Sequence, residues 1–134
     1  MFKRQINYEK LKSKLQICFQ RLDVILRRKK LRALKKRKEI THLVQIQKKK
    51  KARTCVEQII PIDCHIEAGE ILKQTCSLLI ENIGVIENSD ILQGDLIEGI
   101  YCITWAAPYL KHEVLELEDV AHLLTTKFGK LTKS

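Results

Sequence analysis

The sequence predicts an all-α protein, built as a long antiparallel helical hairpin with two shorter helices packed on it. The 134 residues include only five glycines and two prolines, and this scarcity favours helices over sheets or barrels. No proline or glycine falls between residues 1 and 60, so the first helix can be very long. The chain length suits a single domain, which we predict over residues 1–134.

Apolar residues recur at helical spacing in three stretches, each the buried face of an amphipathic helix. The first stretch thins through a basic segment, where Leu31, Leu34 and Ile40 remain apolar. The three faces consist of Leu11, Leu15, Cys18, Leu22 and Ile25; Leu72, Cys76, Leu79, Ile83 and Ile86; and Val114, Leu117, Ala121, Leu124 and Phe128.

Breaker and capping residues predict where these helices end. Residues 48–53 carry four adjacent lysines, whose mutual repulsion favours a turn there, and residues 88–90 end the second helix. Asp95 and Glu98 have the spacing of a capping box that opens a short helix to about Trp105. Pro108 then starts the last helix, and Gly129 stops it.

Charge is divided unevenly along the chain, whose formal net charge is +9. Residues 1–53 hold 20 Lys and Arg against three acidic residues, whereas residues 54–134 hold five against 13. This division predicts a basic face for an acidic partner, such as an anionic membrane surface, nucleic acid or an acidic protein. The predicted basic face consists of Arg27, Arg28, Lys29, Lys30, Arg32, Lys35, Lys36, Arg37, Lys38, Lys48, Lys49, Lys50 and Lys51.

Catalytic and metal-binding signatures are absent from the sequence. It has no Gly-rich phosphate loop, no His-Glu-x-x-His and no nucleophile elbow. The five cysteines are widely separated without a Cys-x-x-Cys pair, which favours reduced thiols over a zinc site. No window approaches the roughly 20 apolar residues that span a membrane. We therefore expect a non-enzymatic, cytoplasmic protein without cofactors or metals.

Several segments resemble one known family, the increased-sodium-tolerance (Ist) proteins. The segments are KKRKEI (35–40), AR-x-x-VE-x-II (52–60), EA-x-EIL (67–72) and above all WAAP (105–108), followed by L-x-x-EV-x-EL (110–117). The similarity extends from about residue 8 to residue 130. These proteins are relatives of the ESCRT-III subunits.

The resemblance implies an ESCRT-III-like core that works in endosomal and multivesicular body sorting and in membrane remodelling. Its implied partners are ESCRT-III subunits of the charged multivesicular body protein type, anionic endosomal membranes, the AAA ATPase that disassembles the filaments, and further copies of the chain. The resemblance also implies that Trp105, Ala106, Ala107 and Pro108 form a corner between two helices, with Trp105 buried against the hairpin.

Three departures from the family pattern stand out. Gln47 occupies a hairpin-tip position where family members usually carry glycine, and Pro61 should kink the second helix. The chain ends at Ser134, before the last family helix and the C-terminal ATPase-binding motif, so it is expected to be C-terminally truncated relative to the family.

Two further hypotheses concern charge. Acids near the start of the last helix are a candidate polymer contact for residues 27–38 of a neighbouring copy. The competing interpretation is that these acids neutralise the charge of the hairpin within one monomer. These acids are Glu113, Glu116, Glu118 and Asp119. The alternative function is a basic helical nucleic-acid-binding protein, for which residues 27–38 would serve as a nuclear import signal. It lacks the aromatic platforms of common RNA-binding modules.

Overall fold

A computed structural model describes residues 6–132, and within them the regular structure is entirely α-helical. The all-α prediction is confirmed. The helices are α1 (Tyr8–Gln45), α2 (Lys49–Glu81), α3 (Ile83–Asn88), α4 (Asp95–Leu110) and α5 (Glu116–Thr132). Residues 1–5 and 133–134 of the predicted domain lie outside the described residues.

The helices contribute to two compact units. One, the five-helix unit, comprises residues 1–22 and 72–134; the other, the hairpin unit, comprises residues 23–71. The hairpin unit consists of the second part of α1, the turn after it and the first part of α2.

Local hydrogen bonds explain where α1 begins and ends. The Lys10 amide donates to Asn7 Oδ1 at 3.0 Å, so Asn7 caps the first turn. At the other end, the Lys48 amide donates to the Leu43 carbonyl at 2.8 Å and the Gln47 amide to the Val44 carbonyl at 3.1 Å. This pair of bonds is a Schellman motif, and it places Gln47 in the left-handed conformation with φ of 61°. The turn therefore lies at residues 46–48, just before most of the lysine cluster.

A small apolar cluster joins the two arms of the hairpin unit. Ala33 packs with Ile59 and Ile62, and Ile40 and Ile66 flank them. Helix α2 runs continuously through Pro61, so the helix is not interrupted at the position where a kink was expected. Pro61 is exposed, and on that side water can solvate the carbonyl that proline leaves without a donor.

The predicted apolar faces form the core of the five-helix unit. All five residues of the third face are buried, as are Leu11, Leu15, Cys18 and Leu22 of the first. Gly99 lets α4 approach the second part of α2, since a Cβ there would lie 3.2 Å from the Thr75 methyl carbon. Burial raises the pKa of both the Cys18 and the Cys76 thiols to about 12, so both remain protonated at neutral pH.

The predicted corner at residues 105–108 is wrong. These residues lie inside α4, which continues to Leu110, and the connection to α5 is formed by residues 111–115. Trp105 is 73% exposed rather than buried, whereas Ala107 is 2% exposed and faces the core. Pro108 is tolerated within the helix because it lies on the exposed side, where water can reach the unbonded carbonyl.

Four other helix predictions also need correction. The second helix breaks at Asn82, so Ile83 and Ile86 belong to the separate helix α3. Gly94, with φ of 63°, occupies the N-cap of α4, and Asp95 provides no side-chain cap. Helix α5 passes beyond Gly129 after a kink at Phe128. Leu31 and Leu34 are exposed, because the buried face of α1 moves onto Leu26 and Ala33.

Candidate functional site

The basic run, residues 27–38, contains two kinds of cationic side chain. Some contact α2, and others are exposed to solvent. Lys30 forms an ion pair with Glu70, and Arg37 forms one with Asp63 at 2.6 Å. Lys36 donates to Gln58 at 2.7 Å. These three contacts connect α1 to α2 within the hairpin unit. Each is partly solvated, so each contributes at most about 1 kcal/mol, but together they align the two arms.

Other cations of the run point away from these contacts. Arg28, Arg32, Lys35 and Lys38 are exposed, and among residues 6–132 none of them forms an ion pair. Arg27 is held by Asp23 at 2.8 Å along the same helix, and Lys29 also has a partner. The predicted basic face is thus two sets of side chains, one that stabilises the hairpin and one that remains open to other molecules.

The turn of the hairpin carries a second open cationic cluster. Lys48 to Lys51 are all exposed, and no ion pair holds them within the described part of the chain. Two aliphatic side chains lie in the same segment, Val44 with 59% exposure and Ile46 with 47%. This combination of lysines and solvent-exposed aliphatics, called the hairpin tip below, suits the headgroup region of an anionic membrane.

The predicted acidic contact is partly occupied within the five-helix unit. Asp119 pairs with Lys14 at 3.2 Å. Glu116 Oε1 lies 2.7 Å from Arg21 Nε, although this buried oxygen has no well-aligned hydrogen bond, so the attraction is mainly electrostatic. Glu113 also has a partner, whereas Glu118 is exposed. Glu116 and Asp119 therefore each pair with a cation of the N-terminal part of α1 within the same chain, outside residues 27–38.

The Lys127 ammonium makes a set of hydrogen bonds that the sequence did not predict. Its Nζ donates to the Tyr8 hydroxyl at 2.6 Å and to the backbone carbonyls of Glu87, at 2.8 Å, and Ile86. The same ammonium lies 4.7 Å from the centre of the Tyr8 ring. It therefore ties α5 to the C-terminal end of α3 and the start of α1. No local pattern signals this role, because the partners are far away in sequence.

Exposed aromatic residues follow one face of α4. Tyr101, Trp105 and Tyr109 recur at four-residue spacing and are exposed by 37%, 73% and 71%. The Trp105 and Tyr109 rings lie 5.1 Å apart in a tilted arrangement. Trp105 is therefore a surface residue whose contribution to the core is small.

The described residues offer no cluster of metal ligands. Residues 6–132 contain no group of three or more His, Cys, Asp or Glu side chains placed to hold a metal ion. Cys64 is exposed, whereas Cys18, Cys55 and Cys76 are buried. None of the described helices is long and apolar enough to cross a membrane. What the structure does offer is a set of charged and aromatic surfaces suited to binding other molecules.

Comparisons with known proteins support one family. The family model for Ist1, described as "Regulator of Vps4 activity in the MVB pathway", matches residues 12–134. A curated relative, the vacuolar protein sorting-associated protein IST1 of Saccharomyces cerevisiae, is 30% identical over 128 residues. That alignment covers 90% of this chain but only 43% of the relative.

A solved structure agrees with this match. The crystal structure of the S. cerevisiae Ist1 N-terminal domain in complex with the Did2 MIM motif superposes with a TM-score of 0.82 and 28% sequence identity. The superposition covers 96% of this chain and 73% of that chain. The fold shared with that domain therefore includes nearly the whole of this chain.

Proposed function

Because the chain belongs to the Ist1 family, we propose that it is a non-enzymatic, ESCRT-III-like protein of multivesicular body sorting that binds an ESCRT-III-related partner and regulates the Vps4 ATPase. The observation that carries this proposal is the superposition on a domain whose crystal structure contains a bound Did2 MIM motif. That domain is in complex with a partner motif in its crystal structure, so partner binding is the primary activity that we assign to this chain.

The proposal includes a peripheral location on endosomal membranes, on the cytoplasmic side. The hairpin tip supports it, since Lys48 to Lys51 are exposed beside Val44 and Ile46. Each cation near an anionic bilayer contributes about 1 kcal/mol to binding, and shallow insertion of the aliphatic side chains adds to it. Of the predicted basic face, the tip is the part that we assign to the membrane.

The nucleic-acid alternative has less support. Lys30, Lys36 and Arg37 of residues 27–38 contact α2 within the hairpin unit, so part of this charge has an intramolecular role. The most exposed aromatic side chains lie on α4, outside residues 27–38. We therefore assign no nucleic-acid partner and no nuclear import role to residues 27–38.

Partner binding is tested by titrating a fluorescent peptide of the Did2 MIM motif with the full chain. Saturable binding that a scrambled peptide of the same composition does not reproduce is the expected result. If the two peptides bind equally, or if neither binds, the assigned partner class is wrong.

Membrane binding is tested by sedimentation with phosphatidylserine-containing and neutral vesicles. The variant Lys49→Glu/Lys50→Glu/Lys51→Glu should lose most binding to the anionic vesicles, because it inverts the charge of the tip. The matched variant Arg28→Glu/Arg32→Glu/Lys35→Glu changes the net charge equally and should retain more binding. Equal losses in the two variants would show that net charge, rather than the tip, drives binding.

A further inference from the structure

The exposed face of α4 is symmetric about Trp105. Tyr101 lies four residues before Trp105, and Tyr109 lies four residues after it. Glu98 lies seven residues before Trp105, and His112 lies seven residues after it. Spacings of three, four, four and three residues place these side chains on one face of a helix, and all five are exposed. This set of residues, called the aromatic face below, therefore has the same spacing when followed from either end.

His112 continues this face although α4 ends at Leu110. The Val114 amide donates to the Leu110 carbonyl at 2.8 Å, which is the hydrogen bond of one further helical turn. Lys111 keeps helical backbone angles, with φ of −58° and ψ of −26°. The buried residues of α4 lie on the opposite side of the helix: Gly99, Ile100, Ile103 and Ala107. The aromatic face therefore points away from the core of the five-helix unit.

The aromatic face makes few contacts within its own chain. Among residues 6–132, Glu98 forms no ion pair, and the Tyr101 and Tyr109 hydroxyls have no hydrogen-bond partner. The Trp105 and Tyr109 rings lie 5.1 Å apart, but no such contact joins Trp105 to Tyr101 in the described part of the chain. Aromatic rings attract one another at centroid distances of about 4.5–7 Å. The Tyr101 ring therefore has a free flank that can receive another ring.

Two copies of this face are complementary in one orientation. If two α4 helices pack antiparallel with their Trp105 residues at the centre, Glu98 of each copy lies at the level of His112 of the other. The carboxylate can accept a hydrogen bond from the imidazole, and the symmetry provides this contact twice. The Tyr109 ring of each copy then lies beside the free flank of Tyr101. Parallel packing would instead place the two Glu98 carboxylates against each other, which is unfavourable.

We propose that a second copy of this chain docks antiparallel on the aromatic face of α4 and forms a closed, two-fold symmetric dimer about Trp105. Both copies use the same surface, so the contact is isologous and leaves no part of the interface open for a third copy. One pair of helix faces buries less than the roughly 1,200–2,000 Å² of a stable interface, so the dimer is weak and depends on concentration. In dilute solution the chain is a monomer with Trp105 exposed.

The dimer goes beyond the proposed function and does not depend on it. It uses neither the hairpin tip nor the binding of an ESCRT-III-related partner. Failure of the MIM-peptide titration would leave the dimer unaffected, and absence of the dimer would leave the peptide titration unaffected.

Cysteine cross-linking tests the antiparallel orientation. The Cys64→Ser chain, which lacks the native exposed thiol, serves as the background. In this background, Glu98→Cys mixed with His112→Cys should give a covalent dimer with a short bismaleimide. Each variant alone should give little product, because its two thiols would lie about 21 Å apart along the helices. Glu98→Cys mixed with Glu118→Cys, an exposed position on α5, is the control for random collisions.

Three results would overturn the proposal. The first is cross-linking of Glu98→Cys alone that equals the mixture with His112→Cys, since it would indicate parallel packing. The second is a yield in that mixture no higher than in the Glu118→Cys control. The third concerns Glu98→Cys/His112→Cys, in which both cysteines are on one chain. It should stop at the dimer, and a ladder of larger species would show that the contact is not a closed two-fold.

Tryptophan emission tests the same contact without cysteines, since Trp105 is the only tryptophan. The emission maximum should move to shorter wavelength as the protein concentration and the mass from sedimentation velocity rise together. Tyr101→Ala/Tyr109→Ala should abolish both changes. The matched control is Val85→Ala/Ile91→Ala, whose side chains are exposed by 47% and 70%, against 37% and 71% for the tyrosines. A mass that rises equally in both variants would place self-association on another surface and would contradict the proposal.

The Did2 MIM peptide distinguishes a dimer surface from a peptide-binding surface. At saturating concentration the peptide should leave the emission of the dilute chain unchanged, and it should leave the cross-link between Glu98→Cys and His112→Cys intact. A blue shift in the dilute chain together with loss of the cross-link would assign the aromatic face to the peptide instead of a second copy.

Discussion

The two compact units differ in what holds them together. Among the residues whose burial the structure describes, 24 apolar residues are buried, of which 18 belong to the five-helix unit and six to the hairpin unit. The hairpin unit nevertheless has more than half as many residues as the five-helix unit. Within residues 6–129, every side chain with 0% exposure lies in the five-helix unit. The arms of the hairpin unit instead share a small aliphatic cluster and two surface ion pairs, Lys30–Glu70 and Arg37–Asp63.

This contrast separates stability from recognition. Burial of large apolar side chains supplies most of the free energy of folding, so the five-helix unit should dominate the measured stability. Surface ion pairs contribute little to stability. The hairpin unit, which relies on them, keeps both cations and aliphatic side chains exposed to other molecules. Substitutions should therefore affect mainly folding in one unit and mainly binding in the other.

The largest effect should come from truncating a buried leucine of the five-helix unit. Leu117→Ala should lower the free energy of unfolding by about 2–5 kcal/mol, because Leu117 is fully buried and its removal leaves a cavity. Leu115→Ala, the same substitution at a side chain 62% exposed, is the control and should cost far less. Urea denaturation measures both, and equal losses would show that burial does not distinguish these positions.

Removing the ammonium of Lys127 should have the next largest effect. Lys127→Met keeps much of the aliphatic stem but leaves the Ile86 and Glu87 carbonyls without their donor. Hydrogen bonds from charged groups are worth about 1.5–3 kcal/mol, so we expect a loss of that order. The control Lys12→Met removes an exposed lysine of α1 and should be nearly neutral. Equal melting temperatures for the two variants would show that the contacts of Lys127 with these carbonyls do not stabilise the fold.

Periodicity predicted the core well, because the burial of a helix face leaves a repeating local pattern. The third face, from Val114 to Phe128, is buried at every predicted position. The pattern failed where burial depends on how helices are rotated against each other. Leu31 and Leu34 match a helical repeat as well as Leu26 does, but the arms of the hairpin turn them outward.

Single-residue signals were less reliable than repeats. A tryptophan in a small protein usually packs inside, and a proline usually begins a helix, yet Trp105 and Pro108 both lie on the exposed side of α4. The polar contacts of the candidate site could not be predicted either. The partners of Lys127 and Arg37 are distant in sequence, so only the tertiary structure brings them together.

A smaller, stabilising effect is expected at the hairpin turn. Gln47 adopts φ of 61° at the position of the Schellman motif that glycine normally occupies. Gln47→Gly should raise stability by about 0.5–1 kcal/mol, since the relief of left-handed strain exceeds the entropy that glycine loses. Gln16→Gly, in the interior of α1, is the control and should lower stability by up to about 1 kcal/mol. Changes of the same sign at both positions would show that the turn does not need the left-handed conformation.

The smallest effect on stability should come from Trp105, the residue that sequence reasoning placed in the core. Trp105→Ala removes a side chain that is 73% exposed, so the free energy of unfolding should stay within about 0.5 kcal/mol of the wild type. Ile103→Ala, two residues away on the buried side of α4, should cost about 2–5 kcal/mol. Trp105 is the only tryptophan, so its fluorescence gives a direct check: the emission of the native chain should resemble that of free tryptophan in water. A blue-shifted emission together with a large loss of stability in Trp105→Ala would show that this ring is buried. The aromatic face of α4 would then not be a surface available for binding.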